Sequence, residues 1–123
     1  MARGDDIQAR LQKHGVALGQ LCKKLPLNPE ATHIRKQLFR SATSAAPNYA
    51  EARSAESRLD FVHKLGIVHK ELEESLSWLG LLRDLENIPL SELDPLMKEN
   101  DELCRIIYAS IQTARGKRTE ESG

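Results

Sequence analysis

A chain of 123 residues that is 40% hydrophobic can bury one core without a metal or disulfide to staple it, and a formal net charge of zero gives no global attraction to a polyanion. Aromatic content of 4% and a hydrophobic share made mostly of Leu, Ile, Val and Ala favour helices over strands, so the fold class is all-α. Nowhere do roughly 18 apolar residues run together, and the opening MARGDDIQARLQ has no apolar signal core, which points to a soluble, cytoplasmic protein.

The charge is unevenly distributed. Residues 1–70 carry 12 Lys and Arg against 6 Asp and Glu, and residues 71–123 carry 6 against 12. Such asymmetry can mark a binding face, but the reading preferred here is mutual attraction of the two halves, within a bundle or between subunits. Cys22 and Cys104 stand far apart with no CxxC or Cys/His spacing, and read as packed, reduced thiols.

In chain order, Ile7, Leu11, His14, Leu18, Leu21 and Leu25 recur at steps of three and four and form the seam of a first helix, ended by Pro26. Asn28 followed by Pro29 supplies an N-cap and a first-turn proline, so a second helix starts near 29. Ile34, Leu38 and Ser41 carry its seam into a run of small residues, Ser41 to Ala46, where a neighbouring helix can come close. Pro47 follows inside the pattern and predicts a kink, or a break and restart.

Ser57-Arg58-Leu59-Asp60 signals the third helix, with Ser54 as a competing cap. Phe61, Leu65, Val68, Leu72, Ser75, Leu79 and Leu82 form its stripe, and Leu59, Val62, Leu76 and Trp78 widen it until more than one neighbour is needed to cover it. After Asn87-Ile88-Pro89, either Ser91 or Asp94 with Pro95 starts a fourth helix, whose seam is Leu93, Leu96, Asn100, Leu103, Ile107, Ser110 and Ala114. Four helices on short connections give an up-down-up-down bundle, one domain over 1–115, with a polar, disordered tail over 116–123.

The run from Gln37 to Glu51, with Arg40, Ser44, Asn48, Ala50 and Glu51, resembles the signature segment of the bacterial 23S rRNA-intervening-sequence proteins, and Phe61, Lys64, Leu65, Ile67, Glu71 and Ser77-Trp78-Leu79 look like that family's third helix. The resemblance implies a four-helix bundle that assembles as a ring-like homopentamer, in a family some of whose members are encoded within insertions of the large ribosomal RNA gene. A distant relative of the same fold, the accessory protein of diversity-generating retroelements, binds nucleic acid and a reverse transcriptase, which suggests a scaffold without assigning residues. This chain departs from the signature at Ala52, where the family has glycine, and at Pro47, one place later than usual.

Candidate sites are few. Asn48 and Glu51 share a helix face; the preferred reading makes them a structural polar pair, Asn48 serving a carbonyl freed by Pro47 and Glu51 pairing with Arg40 or Arg53. Glu30…His33 and Asp60…His63 have the acidic-x-x-His spacing of helical di-metal sites, but an antiparallel hairpin puts them on the order of 20 Å apart, so no metal and no cofactor is expected. His14 and His69 have no better partners. Ser44, Ser75 and Cys104 lack a His at helical spacing, and no Gly-rich phosphate loop is present, so the chain reads as no enzyme. Trp78 reads as core or subunit interface ahead of a base-stacking platform. Arg35, Lys36, Arg40, Arg53 and Arg58 flank the helix 2–3 connection and are the candidate nucleic-acid surface, unless Glu92, Glu99, Asp101 and Glu102 neutralise them across a subunit contact.

The functional expectation is a non-catalytic oligomeric binding or scaffolding module, with RNA or DNA as candidate partner. The alternative is a structural assembly with a protein partner and no nucleic-acid affinity.

Overall fold

The computed structural model describes residues 3–122, with the side chains of 4–116. It consists of α1 (Arg3–Lys23), α2 (Pro29–Arg53), α3 (Arg58–Asp84) and α4 (Leu90–Ser122), with no strand among the described residues. Of the tail expected over 116–123, residues 117–123 lie outside those described in full. None of the described helices is long and apolar enough to cross a membrane.

The ends of the helices follow from local chemistry. At the close of α1 the last turn tightens, Lys24 N–H donating to the Leu21 carbonyl at 3.0 Å. Carbonyls that a helix end leaves unpaired need donors from elsewhere. Arg35 of α2 supplies them, its guanidinium reaching the carbonyls of Cys22 (3.1 Å), Leu25 (3.0 Å) and Pro26 (3.1 Å). Asn28 caps α2 by accepting from Ala31 N–H at 2.8 Å, and Ser57 caps α3 by accepting from Asp60 N–H at 3.0 Å, while Ser54 closes α2 instead of opening α3. α3 ends in a Schellman motif, in which Glu86 N–H donates to Arg83 and Asn87 N–H to Leu82. Glu86 sits there at φ 57°, in the left-handed region that favours glycine.

At both prolines the helix continues: the break and restart that Pro47 allowed does not occur, and Pro95 does not open its helix. α2 runs unbroken through Pro47. A proline in a helix interior removes one donor and crowds the preceding turn. Side-chain donors reach two carbonyls of this stretch, Asn48 Nδ2 that of Ser44 at 2.8 Å and Gln8 Nε2 of α1 that of Ala46 at 3.0 Å. α4 starts at Leu90, one residue before Ser91, with the Glu92 and Leu93 amides donating to the Pro89 carbonyl and Pro95 inside the helix. Pro95 and Ser91 are both exposed, so the carbonyl that loses its donor can face water.

Contacts between helices fix the topology. Gln8 meets Ala46 and Cys22 meets Arg35, so α1 and α2 are antiparallel. Glu51 meets Lys64 and Ser41 meets Ser75, making α2 and α3 antiparallel as well. Arg10 meets Glu99 and Lys24 meets Glu92, so α4 runs back along α1. This is the expected up-down-up-down order. The core divides into two clusters. One holds Leu18, Leu21, Leu38, Leu79, Leu82 and Leu93; the other holds Ile7, Leu11, Leu65, Val68, Leu72, Leu103 and Ile107.

Between the clusters lies a polar layer with one residue from each helix: His14, Ser41, Ser75 and Asn100, none more than 4% exposed. His14 Nε2 is 2.8 Å from Asn100 Oδ1, Asn100 Nδ2 donates to the Leu72 carbonyl at 2.8 Å, and the Ser41 and Ser75 hydroxyls are 2.8 Å apart. Ser41 also donates to the Leu38 carbonyl at 3.2 Å. Buried polar atoms must be paired to be tolerated, and the pairings are available only when the four helices are level.

Candidate interaction surfaces

The five basic residues singled out from sequence do not form one surface. Arg35 is committed to the end of α1, with exposed Lys36 beside it. Arg40, midway along α2, holds Glu71 at 3.2 Å and also pairs with Glu74 on α3. Glu71 is 8% exposed, and a carboxylate so buried needs that cation, so Arg40 is a structural residue. Arg53 lies at the far end of α2, about 27 Å from Arg35 at the helical rise, and its Nη2 is 2.7 Å from Asp5 Oδ1. Arg58 opens α3 next to it.

The charge asymmetry resolves the same way. Arg10 pairs with Glu99 at 2.6 Å and Glu102 at 3.4 Å, Lys24 with Glu92 at 3.6 Å, and Arg40 with Glu71 and Glu74. Each pair joins the basic half to the acidic half within one chain. Asp101 pairs with Arg105 on its own helix. The four acidic residues expected to meet the arginines across a subunit contact are therefore engaged inside the protomer.

Asn48 turns onto its own helix but donates to the Ser44 carbonyl, not to that of Thr43, which is the one Pro47 leaves without a backbone donor, and Glu51 faces Lys64 of α3 at 3.9 Å instead of Arg40 or Arg53. Trp78 is half-buried against its own core, edge-to-face with His33 at 5.6 Å, and its Nε1 is buried without a partner among the described residues. Much of the width of α3's apolar stripe is covered within the chain. The two acidic-x-x-His steps sit at opposite ends of the α2–α3 pair, and no three His, Cys, Asp or Glu among the described residues are grouped to hold a metal ion. Both cysteines are buried and free; burial pushes the Cys22 thiol up and that of Cys104 to about 12, where neither is a ready thiolate.

Two concave surfaces stand out among the described residues. The first is an apolar groove of about 540 Å³ between α1 and α2, running from Lys23 and Phe39 at one end to Gln8 and Pro47 at the other. Its floor is low because Gly15, Gly19, Ala42 and Ala46 face each other there. A Cβ on Gly15 would lie 3.1 Å from the Ala42 carbonyl oxygen. Val16 and Phe39 rise from its walls, 59% and 51% exposed. The flanks carry Gln8, Gln12, Gln20 and Thr43, so Lys23 is the only charged residue among those lining it. The signal in the sequence was the small-residue run of α2 opposite Gly15 and Gly19, which the periodicity of α1 obscured because neither glycine is on its seam.

The second is a cleft of about 570 Å³ at the end of the bundle where α2 passes into α3, with Arg53 and Arg58 on it beside Phe61 and the buried ring of Tyr49.

The sequence profile of the 23S rRNA-intervening sequence protein family matches residues 9–109. A crystal structure at 1.70 Å of a protein of unknown function from the S23 ribosomal protein family of Bacteroides thetaiotaomicron superposes with a TM-score of 0.80 at 30% identity, covering 85% of this chain and 97% of that one. No curated protein matches the chain.

Proposed function

Since this chain belongs to the 23S rRNA-intervening sequence protein family, whose members the resemblance gives as ring-like assemblies, we propose that it is a non-catalytic scaffold that works by self-association. The observation that carries the reading is the α1–α2 groove. Nearly all the polar chemistry of the seams is satisfied within the protomer, whereas Val16 and Phe39 stand exposed over a floor of glycine and alanine. An apolar depression of that kind, with Lys23 the one charge on its rim, suits a packed helix of another protein molecule better than a charged ligand. A pentamer is the expected closed form, with the groove of each copy covered by its neighbour.

A photo-crosslinking residue in place of Val16 tests this reading. It should join copies of the chain to one another at micromolar concentration. Absence of self-crosslinks, with an intact fold by circular dichroism, would overturn it.

A second reading is favoured by the placement of Arg53 and Arg58 on one cleft: the assembly associates with RNA through its ends. Repetition of a weak basic site around a ring multiplies its affinity, which is how a chain of zero net charge could hold a polyanion. Arg35 and Arg40 leave the original set of five on this reading, because each is tied to structure.

A further inference from the structure

We infer that the end of the bundle where α2 meets α3 binds single-stranded RNA, with phosphates on Arg53, Arg58 and Arg115 and a base lying against Phe61 or Leu59. The inference rests on the RNA reading above and is independent of the groove. Its basis is the convergence of residues that are distant in sequence. Arg53 closes α2, Arg58 opens α3 and Arg115 stands on α4, yet all three line adjoining depressions that share Ser57, Arg58 and Leu59. Arg53, Arg58 and Phe61 share the large cleft, and Arg58 and Arg115 share a smaller hollow with Leu59. Leu59 is 67% exposed, so an apolar platform and its flanking cations are accessible together.

That combination selects the ligand class. A phosphate backbone alone would be served by arginines; a duplex shows the protein little else, because its bases are stacked away. An unpaired base offers a flat face that an aromatic ring, an apolar side chain or a guanidinium can cover. The counter-charge on Arg53 does not close the cleft. Arg53 meets Asp5 through Nη2, a half-exposed pair of the kind that adds little stability and exchanges readily for a phosphate oxygen. Asp60 is the one carboxylate among the described residues lining these depressions. Arg58 and Arg115 have interactions within the chain as well, and both are exposed.

The experiment is fluorescence anisotropy of the full chain with a labelled oligouridine of about 12 nucleotides, over a range of salt. Arg58→Gln and Arg115→Gln should each flatten the log–log salt slope by about 0.7, the value for one phosphate contact on a single strand. Leu59→Ser, at an exposed position that folding does not depend on, should weaken binding about tenfold at unchanged slope. Lys36→Gln, at the opposite end of α2, should leave both unaltered, and a duplex of equal length should bind less tightly. Absence of binding at low salt would overturn the inference, as would a Lys36→Gln loss equal to that of Arg58→Gln, or displacement of the RNA by polyglutamate of matched charge. Measuring oligomeric mass on each variant separates the two proposals. Loss of RNA at wild-type mass belongs to this site, and loss of mass in Phe39→Glu with binding per chain retained belongs to the groove.

Discussion

His14 Nε2 and Asn100 Oδ1 lie 2.8 Å apart in the middle of the bundle, joining α1 to α4. Because the Asn100 amide nitrogen is given to the Leu72 carbonyl, its oxygen faces His14 and the imidazole must donate from Nε2. Nδ1 is buried with no partner among the described residues. The neutral tautomer protonated at Nε2 fits this environment, and a second proton would add a buried charge and an unpaired N–H.

Acid should therefore weaken the fold through His14. Burial lowers its pKa below 6.5, with the Arg10 charge acting the same way and the Asn100 bond and Glu99 opposing. The unfolded chain keeps a value near 6.5 and so binds more protons in the interval below it. This contribution to stability is complete above that pH and is lost as pH falls towards the depressed value. Urea unfolding at pH 7.5 and 5.0 should show a larger loss for the wild type than for His14→Gln, which retains an amide donor without the titration. Equal losses would remove His14 as the cause.

The pairing also predicts an asymmetry. Asn100→Leu leaves the His14 N–H without an acceptor, at a cost of about 1–3 kcal/mol for the orphaned group. Replacing both His14 and Asn100 by Leu removes donor and acceptor together and should be less destabilising than the single change. Chemical denaturation of the two variants at pH 7.5 decides it.

Gly15 and Gly66 should respond oppositely to alanine. Nothing lies within 4 Å of a Cβ added at Gly66, so Gly66→Ala should gain about 1 kcal/mol from helix propensity. At Gly15 the same atom lies 3.1 Å from the Ala42 carbonyl oxygen, where backbone would have to move. Overpacking of about 1–3 kcal/mol there cancels or exceeds the propensity gain. Thermal melts should place Gly66→Ala above the wild type and Gly15→Ala at or below it.

Glu86 holds the left-handed position of the α3 terminus, where a side chain costs about 1 kcal/mol relative to glycine. Glu86→Gly should raise stability by about that amount, and Glu86→Val should lower it. The same melts check both.

Much of the fold is written in the sequence at short range. Asn28 and Ser57 cap the helices they were expected to cap, because the cap and its amide are three residues apart. Each seam was also readable, and each contributes one residue to the buried polar layer: His14, Ser41, Ser75 and Asn100. That they meet at one level was not, since it depends on how far each connection lets its helix slide. The candidate surfaces suffered for the same reason. The duty of Arg35 depends on the path of the chain around Pro26, and the partners of Arg40 and Arg53 lie on other helices at distances set by packing. That α2 passes Pro47 without a break was hidden because the Gln8 donor to the Ala46 carbonyl comes from α1, and that α4 runs through Pro95 depends on an exposed turn, neither of which spacing encodes.

The claim that the groove between α1 and α2 mediates assembly is met most directly by native mass spectrometry of the wild type and Phe39→Glu at micromolar concentration. Phe39 is exposed, so the charge should leave the protomer folded while disfavouring any partner packed on the groove. The account predicts a discrete wild-type oligomer, five copies being the expected number, and a monomer for the variant. A monomeric wild type, or a variant that keeps the wild-type mass, would contradict it.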